Sequence, residues 1–534
     1  MFSSIAARRL VILSGFLAQV FSVGCVAEQA RLPSPGTPDE PAPPVMEPEV
    51  TPADGPAIHL HASNAVLRVV DGERSELGVT LTRVGTVGAV DVHVEGLPRG
   101  VYADDITIPG TSSRGALIFT TAAPISFGGP VAFHLRATTH DLSARADMRA
   151  IMTVAGAPGS FDESYSYDGI VTHHVSPDAD ASDAVKSCAM DRYDNITVVG
   201  TTQHAMVQHD AFAMRILRDG DLDARWGFRG VLLGLPELGA QTSNYADVAV
   251  MNDGSVLLLG SIRSASGGEN LLTRRTTEGL VDTSFGNRGF MRRISQDTTW
   301  LASRAEGFLL ANEGFEAFTR SGERDLSFGG GKIDETPFVR HFSSIDREGR
   351  LLVAGTTGQV VNVARYAADG SVDSLFGYSG IAEMRLASRP ASIRVRDMAE
   401  QSDGSVVIAG DEEDAAGASR GIVIRFAPNG SLDTSFAERG IAREDALGSR
   451  IVHIVIDSAD RIVVAGTRDD AGSRTSYLAR YNPDGSTDCT FGDDGQVRDI
   501  ELMSVNELFV NNETGRLYAC GGISGGVAIA RFWN

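Results

Sequence analysis

A short sequence word returns throughout residues 159–534. One copy reads GSVDSLFG at 370–377, and others read LVDTSFG at 280–286 and GSLDTSF at 430–436. The Asp of the word occurs seven times, at intervals of 43 to 61 residues: Asp162, Asp223, Asp282, Asp325, Asp373, Asp433 and Asp488. A word that returns at such a period indicates one supersecondary unit copied along the chain. This part of the chain must therefore fold as an array of similar units.

Each unit predicts four antiparallel strands. An apolar run that ends in a small residue also occurs seven times, at 196–200, 256–260, 308–312, 351–355, 406–410, 462–466 and 517–521. Tight Asp-Gly-Ser turns precede the runs at 256 and 406, which is typical of a hairpin. A further strand ends in Arg plus an apolar residue, as at Arg365-Tyr366, and the word is then a long turn before a fourth strand. Four strands in about 55 residues are typical of a propeller blade.

The two ends of the array predict a closed ring. The array begins with a lone fourth strand at 169–172 and ends at 527–532 with a third strand and no fourth. Seven blades are complete only if the first strand joins the last blade, which also removes exposed sheet edges. The third unit, 298–329, is short, has Ala317 where other units have Arg, and ends its second strand in Ala311-Asn312. If this unit is not a blade, the ring has six.

The repeated words resemble the delta-60 repeat of bacterial secreted and surface proteins, a propeller-forming repeat. The resemblance covers about residues 159–534 and is most specific at 280–286, 430–436 and 487–492. It implies a propeller fold and an exported protein. It implies no defined activity.

The first residues have the pattern of an export signal. Arg8-Arg9 precede an apolar run at 10–21 that is too short to span a bilayer as a helix. The run leads to Gly24-Cys25, which resembles a bacterial lipobox, although Ser22 stands where Leu is usual. We therefore expect residues 1–25 to be a lipoprotein signal peptide and Cys25 to carry the lipid. A signal-peptidase cut after Ala27 is the alternative.

Two further segments precede the array. Nine prolines between 33 and 56 prevent helix and ladder formation, so residues 26–57 are expected to be a disordered tether. Residues 58–156 alternate apolar and polar side chains, as at 77–81, 90–94 and 131–135, and predict seven or eight short strands of an antiparallel sandwich. The stretch 92–109 resembles immunoglobulin-like modules of bacterial secreted proteins, but no cysteine is available for their disulfide. The fold prediction is thus all-β, with an immunoglobulin-like sandwich followed by a seven-bladed propeller at 157–534.

The composition restricts the class of binding partner and the role of the cysteines. The formal charge of −22 disfavours nucleic acid and anionic lipid. The four cysteines are too few for a disulfide framework, although one bridge among Cys188, Cys489 and Cys520 could form in an oxidising compartment. A structural role without a bridge is the favoured interpretation of these cysteines.

No residue set predicts a catalytic, cofactor or metal site. A residue repeated in every unit cannot mark a single site, so the recurrent Arg and Asp are expected to lock the long turn. His59 and His61 would share a strand face and are interpreted as surface histidines. His173-His174, His204 and His209 match no established metal-ligand spacing, and Asp219 to Asp223 lack the Glu of an EF-hand loop. Motifs of hydrolases, metalloproteases and phosphate-binding loops are not found in the sequence.

These observations predict an exported protein, anchored in the bacterial outer membrane or extracellular, whose propeller is a binding or scaffolding surface. The expected partners are a protein or glycan ligand on a propeller face and a lipid bilayer reached by the N-terminal acyl anchor. We expect no enzyme. The alternative is a propeller hydrolase or lyase acting on extracellular polysaccharide.

Overall fold

The computed structural model of the protein describes residues 55–534, except 65, 124, 126, 167, 176–181, 205–207, 236–237, 239–241, 265–266, 296, 335, 387–389, 445–447 and 471–472. Within these residues the chain is all-β, with a 3-10 turn at Gly329–Gly331 and no α-helix. No helix of the described part has the length and apolar character needed to cross a membrane. Cys25 and residues 26–54 of the predicted tether lie outside the described residues, and Ala57, the predicted last residue of the tether, belongs to a strand. The prediction of an all-β chain is confirmed.

Nine strands form two sheets in the N-terminal part. They are β1 (Ala57–Ala62), β2 (Val66–Val70), β3 (Ser75–Val84), β4 (Val90–Glu95), β5 (Val101–Ala103), β6 (Ile106–Ile108), β7 (Arg114–Thr121), β8 (Gly128–Thr139) and β9 (Arg145–Ala155). One sheet has the order β1-β3-β7-β5 and the other β2-β9-β8-β4-β6. The pairing of β2 with β9 is parallel, where the sequence predicted only antiparallel strands.

Side chains from both sheets share one core. Leu77, Val79 and Leu81 of β3 pack in the same cluster as Phe133 and Leu135 of β8. These are the residues whose alternation with polar neighbours indicated half-buried strands. The N-terminal part therefore has a hydrophobic core of its own.

The rest of the chain forms seven four-stranded sheets, numbered here 1 to 7. Sheet 1 contains β11 (Ser182–Met190), β12 (Ile196–His204), β13 (Gln208–Ile216) and β14 (Val231–Leu233). Sheet 2 contains β15 (Thr242–Val250), β16 (Val256–Ser264), β17 (Gly267–Arg275) and β18 (Phe290–Ile294). Sheet 3 contains β19 (Trp300–Arg304), β20 (Gly307–Ala311), β21 (Phe315–Thr319) and β22 (Lys332–Ile333). Sheet 4 contains β23 (Val339–Ile345), β24 (Leu351–Thr357), β25 (Val360–Tyr366) and β26 (Ile381–Arg385).

The remaining sheets complete the array. Sheet 5 contains β27 (Ser392–Glu400), β28 (Val406–Glu413), β29 (Ser419–Phe426) and β30 (Ile441–Arg443). Sheet 6 contains β31 (Ser449–Ile456), β32 (Ile462–Asp470), β33 (Ser473–Tyr481) and β34 (Gln496–Arg498). Sheet 7 contains β35 (Ser504–Asn511), β36 (Arg516–Ile523), β37 (Gly526–Trp533) and the early strand β10 (Ile170–His173). The short third unit thus forms four strands like the others.

The sheets follow one another in a closed circle. The first strands of successive sheets contact each other from β11 to β35, and β35 contacts β11 again. β10 pairs with β37 in antiparallel register, with Ile170 opposite Ala530 and His173 opposite Val527. The predicted pairing of the two ends of the array is confirmed, and the sheets are of the propeller type.

A disulfide joins the same junction. Cys188 on β11 of sheet 1 is bonded to Cys520 on β36 of sheet 7, across a sequence separation of 332 residues. Both residues are buried in the cluster between these two sheets. The interpretation of these cysteines as unbridged was wrong, because spacing in sequence could not show that the closed circle brings residues 188 and 520 together.

The N-terminal sandwich contacts sheet 7 through the last residues of the chain. The Arg68 guanidinium donates to the backbone oxygen of Asn534 at 3.0 Å, and the rings of Phe127 and Trp533 lie 6.1 Å apart. None of the hydrophobic clusters mixes sandwich and array residues within the described chain. The contact is therefore a docking of two separate cores.

Candidate functional site

The recurrent Arg and Asp form a brace in each sheet. In sheet 4, Arg365 Nε donates to Asp373 Oδ2 at 2.7 Å, and its guanidinium lies 4.2 Å from the centre of the Phe376 ring. Its Nη1 also donates to the backbone oxygen of Pro428 in the next unit, at 3.0 Å. The brace therefore fixes the long turn and links it to the neighbouring sheet.

The same arrangement recurs around the circle. The Nε–Oδ2 distance is 2.8 Å in Arg425–Asp433, Arg480–Asp488 and Arg531–Asp162. In sheets 1 and 2 the word Asp is farther from Nε, at 3.9 Å in Arg215–Asp223 and 3.4 Å in Arg274–Asp282. There the guanidinium donates instead to the Asp of a neighbouring turn, Asp191 or Asp253. In sheet 6 the Nη1 of Arg480 donates to Asn534 Oδ1 instead of a backbone oxygen. The predicted structural role of these residues is confirmed, so they leave no charge free for a site.

Sheet 3 keeps the brace although Ala317 replaces the usual Arg. Arg304, on the first strand of the sheet, lies 4.3 Å from the centre of the Phe328 ring and 3.5 Å from Asp325 Oδ2. It also donates to the backbone oxygen of Ala368 in sheet 4, at 3.4 Å. A guanidinium from a different strand therefore takes the same place.

Among the described side chains, which do not include that of His204, the candidate histidines and the Asp-rich turn do not assemble into a site. His173 Nε2 lies 3.4 Å from the Gly220 oxygen, and His174 Nδ1 lies 3.0 Å from the Gly525 oxygen. The Asp219 carboxylate accepts from the Asp221 backbone N–H, as in an ordinary turn. Among the residues that the structure describes, no group of His, Cys, Asp and Glu is arranged to hold a metal ion.

A different set of polar residues meets where the first strands contact one another. Six of the seven first strands have a register shift characteristic of a β-bulge, between Val185/Ser187, Tyr245/Asp247, Arg340/Phe342, Val395/Asp397, Ile451/His453 and Val505/Glu507. A bulge re-aims the side chains beside it. Five polar residues follow these bulges and form what we call the axial cluster: Ser187, Asp247, Asp397, His453 and Glu507.

Two aspartates of the axial cluster tie neighbouring sheets together. Asp247 accepts from the Ser187 hydroxyl at 2.8 Å and from the Leu301 backbone N–H at 2.8 Å. Asp397 accepts from the Ile454 backbone N–H of sheet 6 at 3.0 Å. Burial raises the pKa of Asp247 to about 6, although these hydrogen bonds oppose the shift. Both carboxylates therefore have a structural task.

The polar atoms of His453 and Glu507 have fewer hydrogen-bond partners than those of the two aspartates. His453 Nδ1 lies 3.4 Å from Asp397 Oδ2 and 3.3 Å from Glu507 Oε2, with no well-aligned hydrogen bond to either. Burial raises the pKa of Glu507 to about 8; the His453 charge opposes this, and Asp397 and Asp247 add to it. Burial lowers the pKa of His453, but Asp397 and Glu507 outweigh it and raise the pKa overall. Glu507, whose side chain is 34% exposed, thus combines a raised pKa with a neighbouring imidazole and nearby aspartates, an arrangement suited to proton transfer.

The sequence analysis missed the axial cluster. Its signal was present, because these positions carry Ser, Asp, Asp, His and Glu in strands that are otherwise similar from unit to unit. Such variation at one position of a repeat gives the asymmetry that a single site needs. The position becomes recognisable only when the bulges set the register of all first strands.

A cleft opens on the face where the first strands begin, between sheets 3 and 4. It has a volume of about 590 Å³ and is lined by Glu313, Phe315, Thr336, Pro337, Phe338, Val339, Arg340, Thr356, Thr357 and Gly358. Arg340 in its wall donates to the backbone oxygens of Asn312 and Gly314. The volume lies within the range of small-molecule sites, about 300–1,000 Å³. The short strands of sheet 3 border this cleft.

Comparison with known families supports the class of fold. Residues 349–376, 401–436 and 459–491 match a family described as "Domain of unknown function (DUF5122) beta-propeller". The matched segments lie in sheets 4 to 6 and contain the word with Asp373, Asp433 and Asp488. This part of the chain is thus similar to β-propellers of a family without an assigned function. No curated protein matches the chain.

Several solved structures are similar at low identity. Prolyl oligopeptidase B from Galerina marginata is 12% identical with a TM-score of 0.40, covering 66% of this chain and 49% of its own. A GH43_1 enzyme from Xanthomonas citri is 10% identical with a TM-score of 0.25, covering 60% and 94%. The Nup133 β-propeller domain from Vanderwaltozyma polyspora is 8% identical with a TM-score of 0.26, covering 88% and 99%. The chain spans about half the length of the peptidase. TM-scores this low carry no argument about function.

Proposed function

We propose that this is an exported cell-envelope protein whose seven-bladed β-propeller is a binding or scaffolding surface. In this proposal the propeller belongs to the delta-60 repeat class, and an immunoglobulin-like sandwich joins it to a Pro-rich tether with lipid on Cys25. The observation that carries the proposal is the brace. Its charged residues are used within the fold in every sheet, while the exposed residues of the long turns differ from sheet to sheet. A constant frame with variable exposed residues suits recognition.

The disulfide supports export. Disulfides persist in oxidising compartments such as the periplasm and the cell surface. Mass spectrometry of the mature N-terminus tests the anchor, and a diacylated Cys25 is the expected result. A free chain that begins at Glu28 would exclude lipidation.

Binding is tested with components of the cell envelope. Purified full-length protein is mixed with isolated envelope polysaccharide and, separately, with solubilised envelope proteins, and saturable binding is measured by calorimetry. Saturable binding to one of these fractions without turnover is the expected result. The absence of binding to either fraction would contradict the proposal.

The axial cluster favours a second candidate, a hydrolase or lyase acting on extracellular polysaccharide. Glycoside hydrolysis needs a carboxylic acid that keeps its proton next to a carboxylate that does not. Glu507, beside Asp397 and Asp247, has that character. Release of reducing or unsaturated sugar ends by the parent, and its loss in Glu507→Gln, would establish this candidate. Equal release by both proteins would exclude Glu507 as the acid.

A further inference from the structure

The long turns between third and fourth strands form a rim on one face of the circle. We call these rim turns 1 to 6, at residues 217–230, 276–289, 320–331, 367–380, 427–440 and 482–495. Each follows the end of a third strand, opposite the face where the first strands begin. Backbone hydrogen bonds join consecutive turns, from Gly227 to Glu278, from Gly286 to Ser321 and from Gly329 to Asp369. The rim is therefore continuous.

Apolar side chains are exposed on only part of this rim. Rim turns 1 to 4 expose Phe228, Leu280, Leu326, Val372, Leu375 and Tyr378, whereas no large apolar side chain is comparably exposed in rim turns 5 and 6. Leu375 is 84% exposed and Tyr378 is 87% exposed. We call rim turns 1 to 4 the apolar arc.

Rim turn 4 departs from the repeat at a cost to its own hydrogen bonds. Rim turns 2, 3 and 5 have a serine where rim turn 4 has Leu375. The hydroxyls of these residues, Ser284, Ser327 and Ser435, donate to the word Asp of their own turn at 2.5 to 2.6 Å. In rim turn 4, the residue at this position gives Asp373 only a backbone hydrogen bond, from the Leu375 N–H at 3.2 Å. An exposed leucine thus replaces a residue that would satisfy the turn better. Rim turn 1 lacks this hydroxyl as well, since Arg225 stands at the same position.

The backbone beneath these side chains is held firmly. Asp373 is paired with Arg365, the Gly377 N–H donates to Asn429, and the Tyr378 N–H donates to Ile381, both at 2.7 Å. The apolar tips are thus presented on an ordered turn. Little conformational entropy would be lost when they enter a partner.

Charge distinguishes the arc from the rest of the protein. Its exposed arginines are Arg218, Arg225, Arg229, Arg288, Arg320 and Arg324, and its exposed acids are Asp219, Asp221, Glu278, Glu323 and Asp369. Rim turns 5 and 6 expose Arg439 against Glu438, Asp484, Asp493 and Asp494. The arc is therefore nearly neutral in a chain of charge −22. The Arg229 guanidinium lies 5.7 Å from the centre of the Phe228 ring, so cationic and apolar groups are interleaved.

We propose that the apolar arc docks on the surface of a phospholipid bilayer that carries little net charge. Leucine and aromatic tips enter the interfacial region, and arginines beside them meet lipid phosphates. Single apolar tips spread over four neighbouring turns suit a deformable planar partner, since a protein would need a matching pocket for each tip. This docking is additional to any acyl anchor at Cys25.

Depth-dependent quenching tests the orientation. Full-length Tyr378→Trp and Val339→Trp proteins are mixed with phosphatidylcholine–phosphatidylethanolamine vesicles that contain brominated phosphatidylcholine. Val339 is the matched control, because it is 67% exposed on the opposite face. Quenching of the residue-378 tryptophan and not of the residue-339 tryptophan is expected, over a shared background from the native tryptophans. Equal quenching, or none, overturns the proposal.

A partition measurement separates the arc from the N-terminal segment. The double variant Leu375→Ser/Tyr378→Glu introduces residue types that sheet 5 has at these positions, so it should fold as the parent does. Its partition to the vesicles should fall on the order of tenfold, while the opposite-face control Val339→Ser/Met503→Glu partitions as the parent. Unchanged partition of the rim variant would mean that the N-terminus alone holds the protein, which overturns the docking and leaves the anchor standing. Loss of binding to envelope proteins with no effect on vesicles would identify a protein partner and also overturn it.

Discussion

Replacing both Cys188 and Cys520 by alanine should destabilise the closed circle, because it removes the covalent link between its first and last sheets. The bridge joins sheet 1 to sheet 7 across 332 residues. A cross-link between such distant residues removes chain entropy from the unfolded state, by an amount worth about 6 kcal/mol at 25 °C in the polymer description, whereas measured disulfides mostly contribute about 2–4 kcal/mol. We expect the free energy of unfolding to fall by about 2–5 kcal/mol.

The assay is guanidinium unfolding followed by the fluorescence of Trp226 and Trp533, both of which are buried. The single variants Cys188→Ala and Cys520→Ala are the controls. If the covalent link is what stabilises the junction, each single variant loses nearly as much as the double variant. If packing of the sulfur atoms is responsible, the two single losses add up to the double loss. A double variant with the parent's midpoint and slope would refute the reasoning.

Three further results are expected. Because Glu507 and His453 have raised pKa values, the folded protein keeps protons that the unfolded chain releases. The stabilisation from these two groups is present at acid pH and is lost as pH rises to about 8. The parent's Tm should therefore fall between about pH 5 and 8. Glu507→Gln should flatten this dependence in calorimetry, and an equally steep profile would contradict the assignment. Arg304→Ala should lower the free energy of unfolding by about 1–3 kcal/mol in a denaturant titration, since it removes a cation–π contact and charged hydrogen bonds. An unchanged free energy of unfolding would mean that sheet 3 does not need the brace. Asn534→Ala should cost about 1–3 kcal/mol in the same titration, because it leaves the buried Nη1 of Arg480 without its side-chain acceptor. A stability equal to the parent's would show that this contact is dispensable.

The repeat made most of the array predictable. A recurring word and a recurring apolar run locate the strands, because tight turns and two-residue periodicity are local properties of the chain. The pairing of β10 with β37 also followed from the sequence, since a lone strand at one end of the array matched a missing strand at the other. Arg304 did not follow, because it replaces an arginine of another strand and only the packing of sheet 3 brings it to Phe328.

In the candidate site, too, some features could be predicted from the sequence and others could not. By itself the sequence determined that each unit is a four-stranded β element and that the recurrent Arg and Asp belong to its turns, since these depend on neighbouring residues. Only the tertiary structure brought Asp397, His453 and Glu507 together and paired Cys188 with Cys520. The physical reason is that these residues come from different sheets, and their distances are set by closing the circle and by the bulges that turn their side chains.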